Sequence, residues 1–283
     1  MERMVNELLK EELFYEKMEN GLEVYFMPKK GFTKKYAILA TNYGSNDLEF
    51  IPINESEKLV VNAGIAHFLE HKMFEQPDGG NAFDKFSKWG ANANAFTNFT
   101  MTAYLFSPYF TDENVEKEKG IIEQEIKMYN DDPEWNVFFN ALKAMYVNHP
   151  TRIDIAGTVD SIYKITKEEL YKCYNTFYNP SNMMLFVVGD LEAGEVFEAV
   201  RKSNHKDIKK LEKEITRFYP EEPKEVKEKE IVEKFPISMP MFSICFKDDK
   251  VNLRGNELLR YEVMTDILTD MLFKKGSQIY EDL

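Results

Sequence analysis

The chain is 283 residues long, a length that fits one large domain or two smaller ones. Hydrophobic residues make up 43% of it, enough to fill a sizeable core, which excludes a wholly disordered chain. Its 36 basic and 49 acidic side chains give a net charge of −13. Nucleic acid and anionic membrane surfaces would be repelled by that charge and are not expected as partners.

Cysteine content and hydropathy indicate a cytoplasmic protein. The two cysteines, Cys173 and Cys245, are too few for a disulfide framework or a zinc ribbon, which fits a reducing compartment. The N-terminal segment carries charges every few positions, unlike a secretory signal. No apolar run reaches the roughly 18 residues needed to span a bilayer, so we expect no membrane association.

A β-hairpin is predicted near the start of the chain, because Asn20-Gly21 separates two runs rich in aromatic and β-branched residues and favours a two-residue turn. A third strand is predicted at Tyr36–Gly44 and a helix at Ala63–Glu75, which Asp78-Gly79-Gly80 ends. The elements predicted next are a short helix at Ala82–Trp89, strands over NANAFTNF and MTAYLFS, helices at Asp112–Tyr129 and Glu134–Tyr146, a helix opened by the Thr166–Glu169 capping box, the strand MMLFVVGD and a helix from about Ala193.

A change of composition predicts the domain organisation. From Asp207 to Lys234 lysine alternates with glutamate, which is typical of a solvated linker or a frayed helix. We therefore predict a first domain at residues 1–219 and a charged linker at 220–234. Residues 235–283 contain one predicted strand, MPMFSICF, and one apolar helix, a pair that cannot bury both of its faces alone. They are expected to be the start of a second domain.

The segment His67-Phe68-Leu69-Glu70-His71 carries the strongest chemical signal. On an α-helix each residue turns by about 100°, so His67, Glu70 and His71 all point off one face. Two imidazoles one turn apart are a ready pair of zinc ligands, and a neighbouring carboxylate can take a proton from the water that the metal activates. This spacing is the metalloprotease helix motif in inverted order.

The alternative interpretation of this segment is a pair of histidines on the surface or satisfied within the core. Apolar residues cover nearly the whole circumference of the predicted helix, which favours a helix buried on most sides. These residues are Ile65, Phe68, Leu69, Met73 and Phe74. Two imidazoles and a carboxylate in such surroundings need partners, which favours the metal site.

A catalytic zinc site needs a third protein ligand, and the helix over residues 116–129 offers one. Rotation by about 100° per residue places Glu118 and Glu125 together in the middle of an apolar stripe and Glu123 on the solvent side. The stripe is formed by Ile121 on one side of the glutamates and by Ile122 and Ile126 on the other. Acidic residues on a core face are paired or bind metal, so we predict Glu125 as the third ligand and Glu118 as a residue that orients ligands or substrate. The alternative is that both glutamates form structural ion pairs with lysines.

Residues 91–97, ANANAFT, alternate small residues with asparagine, which leaves little side-chain bulk around the backbone. Such a segment suits an edge strand that pairs with an extended peptide. An ordinary strand with polar residues on its solvent face fits the pattern equally well.

Together these segments resemble the pitrilysin/insulysin family of inverted zinc-motif peptidases, which includes the mitochondrial processing peptidases. The similarity is greatest to the smaller bacterial members that are like the mitochondrial processing peptidases. It is carried by GIAHFLEHKMFE, GANANAFTNFTMTAYLF, the helix with Glu118 and Glu125, and HPTRIDIAGTVDSI. It extends from the first hairpin to the last helix of the chain.

The resemblance implies His67, His71 and Glu125 as ligands of one zinc ion and Glu70 as the base that activates water. It places Glu118 beside the site in a supporting catalytic role. Two further residues, Asn94 and Ala95, fall on the strand that members of the family use to bind substrate backbone. The implied fold is α+β, with a mixed or mostly antiparallel sheet covered by helices.

Members of this family continue through a second homologous domain that supplies an arginine–tyrosine pair to the substrate. The chain is therefore expected to be a truncated fragment with impaired activity, and association with a like or related half is expected. The leading hypothesis is a zinc metalloendopeptidase acting on peptides or unfolded segments. Two alternatives are a non-catalytic peptide-binding or scaffold subunit and a metal-dependent hydrolase of other substrates.

Overall fold

The computed structural model describes residues 1–74, 88, 94–104, 111–203, 208–248 and 250–282. Most of the predicted short helix at Ala82–Trp89, the turn at Asp78-Gly79-Gly80 and residues 91–93 lie outside the described residues. The described residues form two compact units, Met1–Cys245 and Phe246–Leu283. Within the described ranges, no helix combines the length and the apolar character that crossing a membrane requires.

The larger unit is built on a mixed sheet of seven strands in the order β1-β2-β3-β9-β4-β8-β7. Neighbouring strands are antiparallel except β3 and β9, which are parallel. The strands of this sheet are β1 (Glu2–Asn6), β2 (Glu11–Lys17), β3 (Glu23–Pro28), β4 (Tyr36–Thr41), β7 (Phe96–Thr97), β8 (Thr102–Tyr104) and β9 (Met183–Gly189), and a separate ribbon pairs β5 (Glu49–Phe50) with β6 (Leu59–Val60). With helices packed against it, this sheet confirms the predicted α+β class.

Helices occupy most of the positions predicted for them. They are α1 (Ile65–Lys72), α2 (Asp112–Asn130), α3 (Pro133–Met145), α4 (Val159–Ile162), α5 (Lys167–Phe177), α6 (Ala193–Ser203), α7 (Gly255–Phe273) and α8 (Gln278–Asp282). The predicted capping box forms at the start of α5, where Thr166 Oγ1 accepts from the Glu169 N–H. A second capping box, between Thr111 and Asn114, fixes the start of α2, which carries the two glutamates of interest.

Two local predictions differ from the structure. The hairpin at Asn20-Gly21 forms, but residues 18–22 connect its strands in place of a two-residue turn, and the Met18 N–H donates to the Leu22 carbonyl oxygen across this connection. The segment MPMFSICF is not a strand: it is irregular, and large apolar side chains such as Phe242 and Phe246 are exposed. Within the described residues it has no neighbouring strand to satisfy its backbone hydrogen bonds, so an extended ladder does not form.

The charged stretch that includes the predicted linker belongs to the larger unit and packs back on it at several points. The Arg217 guanidinium and the Tyr219 hydroxyl both contact the buried carboxylate of Asp47. The Glu222 carboxylate accepts hydrogen bonds from three successive backbone N–H groups at residues 147–149, at 2.7–2.8 Å. These contacts tie the chain after α6 to the segment that precedes β5 and to the loop that precedes α4.

The start of α1 is held by a close crossing of two backbone segments. Gly64 and Gly157 both have positive φ angles, 88° and 77°. A Cβ atom on Gly64 would lie 2.4 Å from the Ala156 carbonyl oxygen, and one on Gly157 would lie 2.5 Å from the Ala63 carbonyl oxygen. Only glycine fits such an approach, so the two glycines set where α1 leaves the loop.

Candidate metal centre

Helix α1 brings the inverted histidine motif into a largely buried position. Its apolar residues, including Ile65, Phe68 and Leu69, are almost completely buried in one core cluster with Tyr43 and Phe177. The rings of His67 and His71 leave the same face of the helix, with centroids 4.6 Å apart and planes inclined by 72°. The one-turn spacing of the motif therefore produces the side-by-side imidazoles that the sequence predicted.

Helix α2 packs against α1 and carries Glu125 to these imidazoles. The His71 Nε2 atom lies 3.2 Å from Glu125 Oε2, and the His67 Nε2 atom lies 3.6 Å from Glu125 Oε1. One donor atom from each of the three residues lies within 4.8 Å of the others. The three predicted ligands thus come together although they belong to two helices.

Glu118 lies beside this group and contacts it through His71. Its Oε1 atom is 3.0 Å from His71 Nδ1, the ring atom that faces away from Glu125. A carboxylate that accepts the Nδ1–H fixes the ring orientation and leaves the lone pair of Nε2 available to bind a metal ion. This geometry agrees with the supporting position predicted for Glu118.

The predicted helix face needs one correction. Ile121, expected beside Glu118 and Glu125 in the apolar stripe, is 47% exposed. The buried side of α2 is formed by Val115, Lys119, Ile122 and Ile126 with Glu118. By the rotation of about 100° per residue, Glu118 and Glu125 therefore stand at the border of the core and not in its middle. A border position lets the glutamates face the histidines while Ile122 and Ile126 face the core.

Glu123, predicted to face solvent, points away from the histidines. Its carboxylate accepts hydrogen bonds from Lys127 Nζ and the Tyr163 hydroxyl, both at 2.6 Å. Glu123 and Glu125 therefore have different partners although they are two positions apart, and Glu123 is a matched control for Glu125.

The donor set fits zinc. Two imidazoles and one carboxylate are an established ligand set for catalytic zinc, and donor atoms around a tetrahedral ion with bonds of about 2.0–2.1 Å lie about 3.3 Å apart. The nitrogen–oxygen separations of 3.2 and 3.6 Å, each to a different oxygen of the Glu125 carboxylate, are close to that value. Burial, helped by the charge of His71, lowers the pKa of His67 to about 4, so this imidazole is neutral, as a ligand must be. Its buried Nδ1 atom finds no hydrogen-bond partner within the described ranges.

The other titratable groups of the centre have shifted pKa values that reflect their contacts. Burial lowers the pKa of His71, but its hydrogen bonds with Glu118 and Glu125 outweigh burial and raise it above its usual range. Burial raises the pKa of Glu125, but the hydrogen bonds with His71 and with the Tyr129 hydroxyl outweigh burial and lower it. In the metal-free protein the centre is therefore a tight cluster of opposite charges.

Glu70 is buried next to the metal-ligand group without belonging to it. Its Oε2 atom accepts a hydrogen bond of 2.8 Å from Thr97 Oγ1 on strand β7. Burial raises the pKa of Glu70, and so does the negative charge of Glu125. The hydrogen bond from Thr97 and the charge of His71 lower this pKa, but the net shift is upward. A carboxylate with a raised pKa close to a metal site has the character expected of a general base.

Asn94 and Ala95 immediately precede strand β7, which ends the order of the seven-stranded sheet. Asn94 is exposed, and its Oδ1 atom accepts from the Ala95 N–H at 3.0 Å. Strand β7 contacts α1, so this edge of the sheet runs beside Glu70. The role of Asn94 and Ala95 in binding substrate stays a prediction.

Sequence reasoning missed two residues that contact the centre. Thr97 follows Ala95 by two positions, and residues two apart in a strand have side chains on the same face of the sheet. This spacing was the available signal for Thr97. Tyr129 lies one helical turn after Glu125, and its hydroxyl donates a hydrogen bond to that carboxylate. Its ring stacks on Trp135, whose indole N–H donates to Asp154. The i,i+4 spacing from Glu125 was the available signal for Tyr129.

Comparison with known families gives two matches along the chain. Residues 55–108, which include the histidine motif, match the family described as insulinase (peptidase family M16). Residues 164–281 match the family described as the peptidase M16 inactive domain.

Individual relatives agree with these matches. An uncharacterized zinc protease of Bacillus subtilis, YmfH, is 48% identical over 98% of this chain and 69% of its own length. The zinc protease PqqE of Helicobacter pylori is 28% identical over 74% of this chain and half of its own length.

A solved structure resembles this chain along almost its whole length. The M16-like peptidase from Alicyclobacillus acidocaldarius has a TM-score of 0.86 and 39% identity over 96% of this chain and 68% of that one. Similarity of this extent in both sequence and structure shows that the chain belongs to the insulinase family of peptidases, family M16.

Proposed function

We propose that this chain is a zinc-dependent endopeptidase that hydrolyses peptides or unfolded segments of proteins. The observation that carries the proposal is the approach of His67, His71 and Glu125 to within 4.8 Å of one another, with the buried carboxylate of Glu70 on the same helix face. Relatives that are named zinc proteases support it.

His67, His71 and Glu125 would hold the ion, which when bound supplies a Lewis acid that polarises a peptide carbonyl and makes water acidic near neutral pH. Glu70 would accept the proton of the attacking water and later deliver it to the leaving amine. Its raised pKa helps the second of these steps, because a more basic carboxylate holds the proton long enough to pass it on. Glu118 would hold His71 in the orientation that presents Nε2.

Strand β7 would position the substrate. It is the last strand in the order of the seven-stranded sheet, and an extended peptide that paired with it would run beside α1 and Glu70. In this arrangement Asn94 and Ala95 would contact the substrate backbone at the start of the strand. Backbone pairing is insensitive to side chains, which fits a preference for extended or unfolded segments.

Replacing Thr97 by valine is expected to lower kcat by about tenfold or more, because a hydrogen bond to a charged group contributes about 1.5–3 kcal/mol. The change removes the hydroxyl that holds Glu70 and keeps a β-branched side chain on the strand. Zinc content and KM should stay unchanged. Thr100→Val, at an exposed position of the same segment, is the control and should leave kcat unaffected. Equal kcat in both variants would remove Thr97 from this positioning role.

Cleavage of a quenched fluorescent peptide by the zinc-loaded chain tests the proposed function. We expect hydrolysis that a chelator abolishes and that one equivalent of zinc restores. Metal content and peptide binding are measured in the same samples. These measurements distinguish a peptidase from a non-catalytic subunit, which would bind the peptide and leave it intact. Binding without hydrolysis, at full zinc occupancy, would contradict the proposal.

A further inference from the structure

Lys72, the residue that follows the histidine motif, is completely buried at the end of α1. Its Nζ atom donates a hydrogen bond of 3.1 Å to the Asn114 carbonyl oxygen in the first turn of α2. The same atom lies 3.6 Å from Glu118 Oε2. Lysine is almost never fully buried unless its charge is paired, so this position calls for an explanation.

The two oxygens of the Glu118 carboxylate have different neighbours. Oε1 faces His71 Nδ1 at 3.0 Å, and Oε2 faces the Lys72 ammonium group. Glu118 is itself buried, with 7% of its side chain exposed, so its negative charge receives little help from water. A line of contacts thus runs from Lys72 through Glu118 to His71, which lies 3.2 Å from Glu125 on its opposite side.

We infer that Lys72 is a positioning residue of the metal centre, whose buried positive charge stabilises the Glu118 carboxylate that orients His71. The inference rests on the proposed function. Without a nearby cation, a buried carboxylate is costly, and it would turn toward water or another donor. His71 would then lose the acceptor of its Nδ1–H, and Nε2 would no longer be fixed toward His67 and Glu125.

A purely structural role for Lys72 makes a different prediction. Lysine near the end of a helix interacts favourably with the last carbonyls of that helix, and Lys72 also joins α1 to α2 through Asn114. If Lys72 only made those contacts, the effect of its replacement on zinc affinity would not depend on the charge of residue 118.

The test is a cycle of Lys72→Met and Glu118→Gln, singly and together, with zinc affinity measured by competition with a chromogenic chelator. Methionine has a similar length and no charge, and glutamine keeps a carbonyl oxygen that can accept from His71. We expect Lys72→Met alone to raise the zinc dissociation constant about 10–100-fold, the range typical of residues that support a metal ligand. In the Glu118→Gln background the same change should have little further effect, because no carboxylate is left to stabilise. Lys72→Arg, which keeps the charge, should restore much of the affinity.

Lys119→Met is the matched control. Lys119 is buried like Lys72 but lies on α2, and its Nζ atom contacts Glu116 and the Tyr163 carbonyl oxygen instead of the centre. The Lys119→Met variant should have a lower temperature of unfolding and an unchanged zinc affinity. Equal losses of zinc affinity from Lys72→Met and Lys119→Met would overturn the inference. So would a loss from Lys72→Met that is the same in both Glu118 backgrounds.

The temperature of unfolding of the metal-free variants separates this inference from the proposed function. Lys72→Met should lower that temperature more when Glu118 is present than in the Glu118→Gln background, whether or not the wild type cleaves peptides. If Lys72→Met fails to fold while the double variant folds, the charge pairing is supported. If neither folds while Lys119→Met does, the need for Lys72 does not depend on Glu118, and the inference is wrong.

Discussion

Replacement of Glu70 by glutamine is expected to reduce peptide hydrolysis by about 10²–10⁴-fold, the contribution typical of a general base, while one zinc ion stays bound. The glutamine has nearly the same shape and can still accept the hydrogen bond from Thr97. It cannot take a proton from water at neutral pH. Because Glu70 lies outside the group of three metal-ligand candidates, its loss should spare metal binding.

The measurement for Glu70→Gln is kcat on a fluorescent peptide together with zinc content by elemental analysis. Glu123→Gln serves as the control, since it removes a carboxylate whose contacts are with Lys127 and Tyr163. Hydrolysis at the wild-type rate in Glu70→Gln would remove Glu70 from the role of base. Loss of both activity and zinc would instead make Glu70 a residue needed for the site to form.

Replacement of Glu125 by glutamine, in contrast to Glu70→Gln, should weaken metal binding. The change removes the one anionic member of the metal-ligand group, and it also removes the carboxylate that faces both imidazoles. We expect zinc affinity to fall by more than the about 10–100-fold that follows loss of a residue supporting a ligand. Hydrolysis should fall with zinc occupancy.

Glu123→Gln is again the comparison for Glu125→Gln, because the two residues are on the same helix and two positions apart. Zinc affinity should be unchanged in Glu123→Gln, measured by the same chelator competition. Similar metal loss from the two variants would mean that the charge of α2, and not the position of Glu125, governs binding.

The convergence of His67, His71 and Glu125 could be predicted in part from the sequence because helical periodicity is local and rigid. The spacing of His67 and His71 by one turn fixes their common face, and the seven-residue spacing of Glu118 and Glu125 does the same on α2. That α1 and α2 pack with these faces together could not be derived from either helix alone. The approach depends on long-range packing, such as the crossing of Gly64 and Gly157.

The contacts around the site were harder to predict, for reasons that differ between residues. Lys72 looks like an ordinary charged residue at the end of a helix until its burial against Glu118 is seen. Thr97 reaches Glu70 across the boundary between a strand and a helix, a pairing that periodicity within one element does not contain. The expected position of Ile121 was wrong because apolar residues lie on both sides of the two glutamates in the helical projection. The pattern alone did not say which of these sides is buried.

X-ray absorption at the zinc edge of the zinc-loaded wild-type chain tests the central claim most directly. The expected result is one ion per chain with nitrogen and oxygen ligands at about 2.0–2.2 Å, two of them imidazoles, and a changed spectrum in Glu125→Gln but not in Glu123→Gln. A chain that retains no zinc, or a spectrum with a single imidazole that is indifferent to Glu125→Gln, would contradict it.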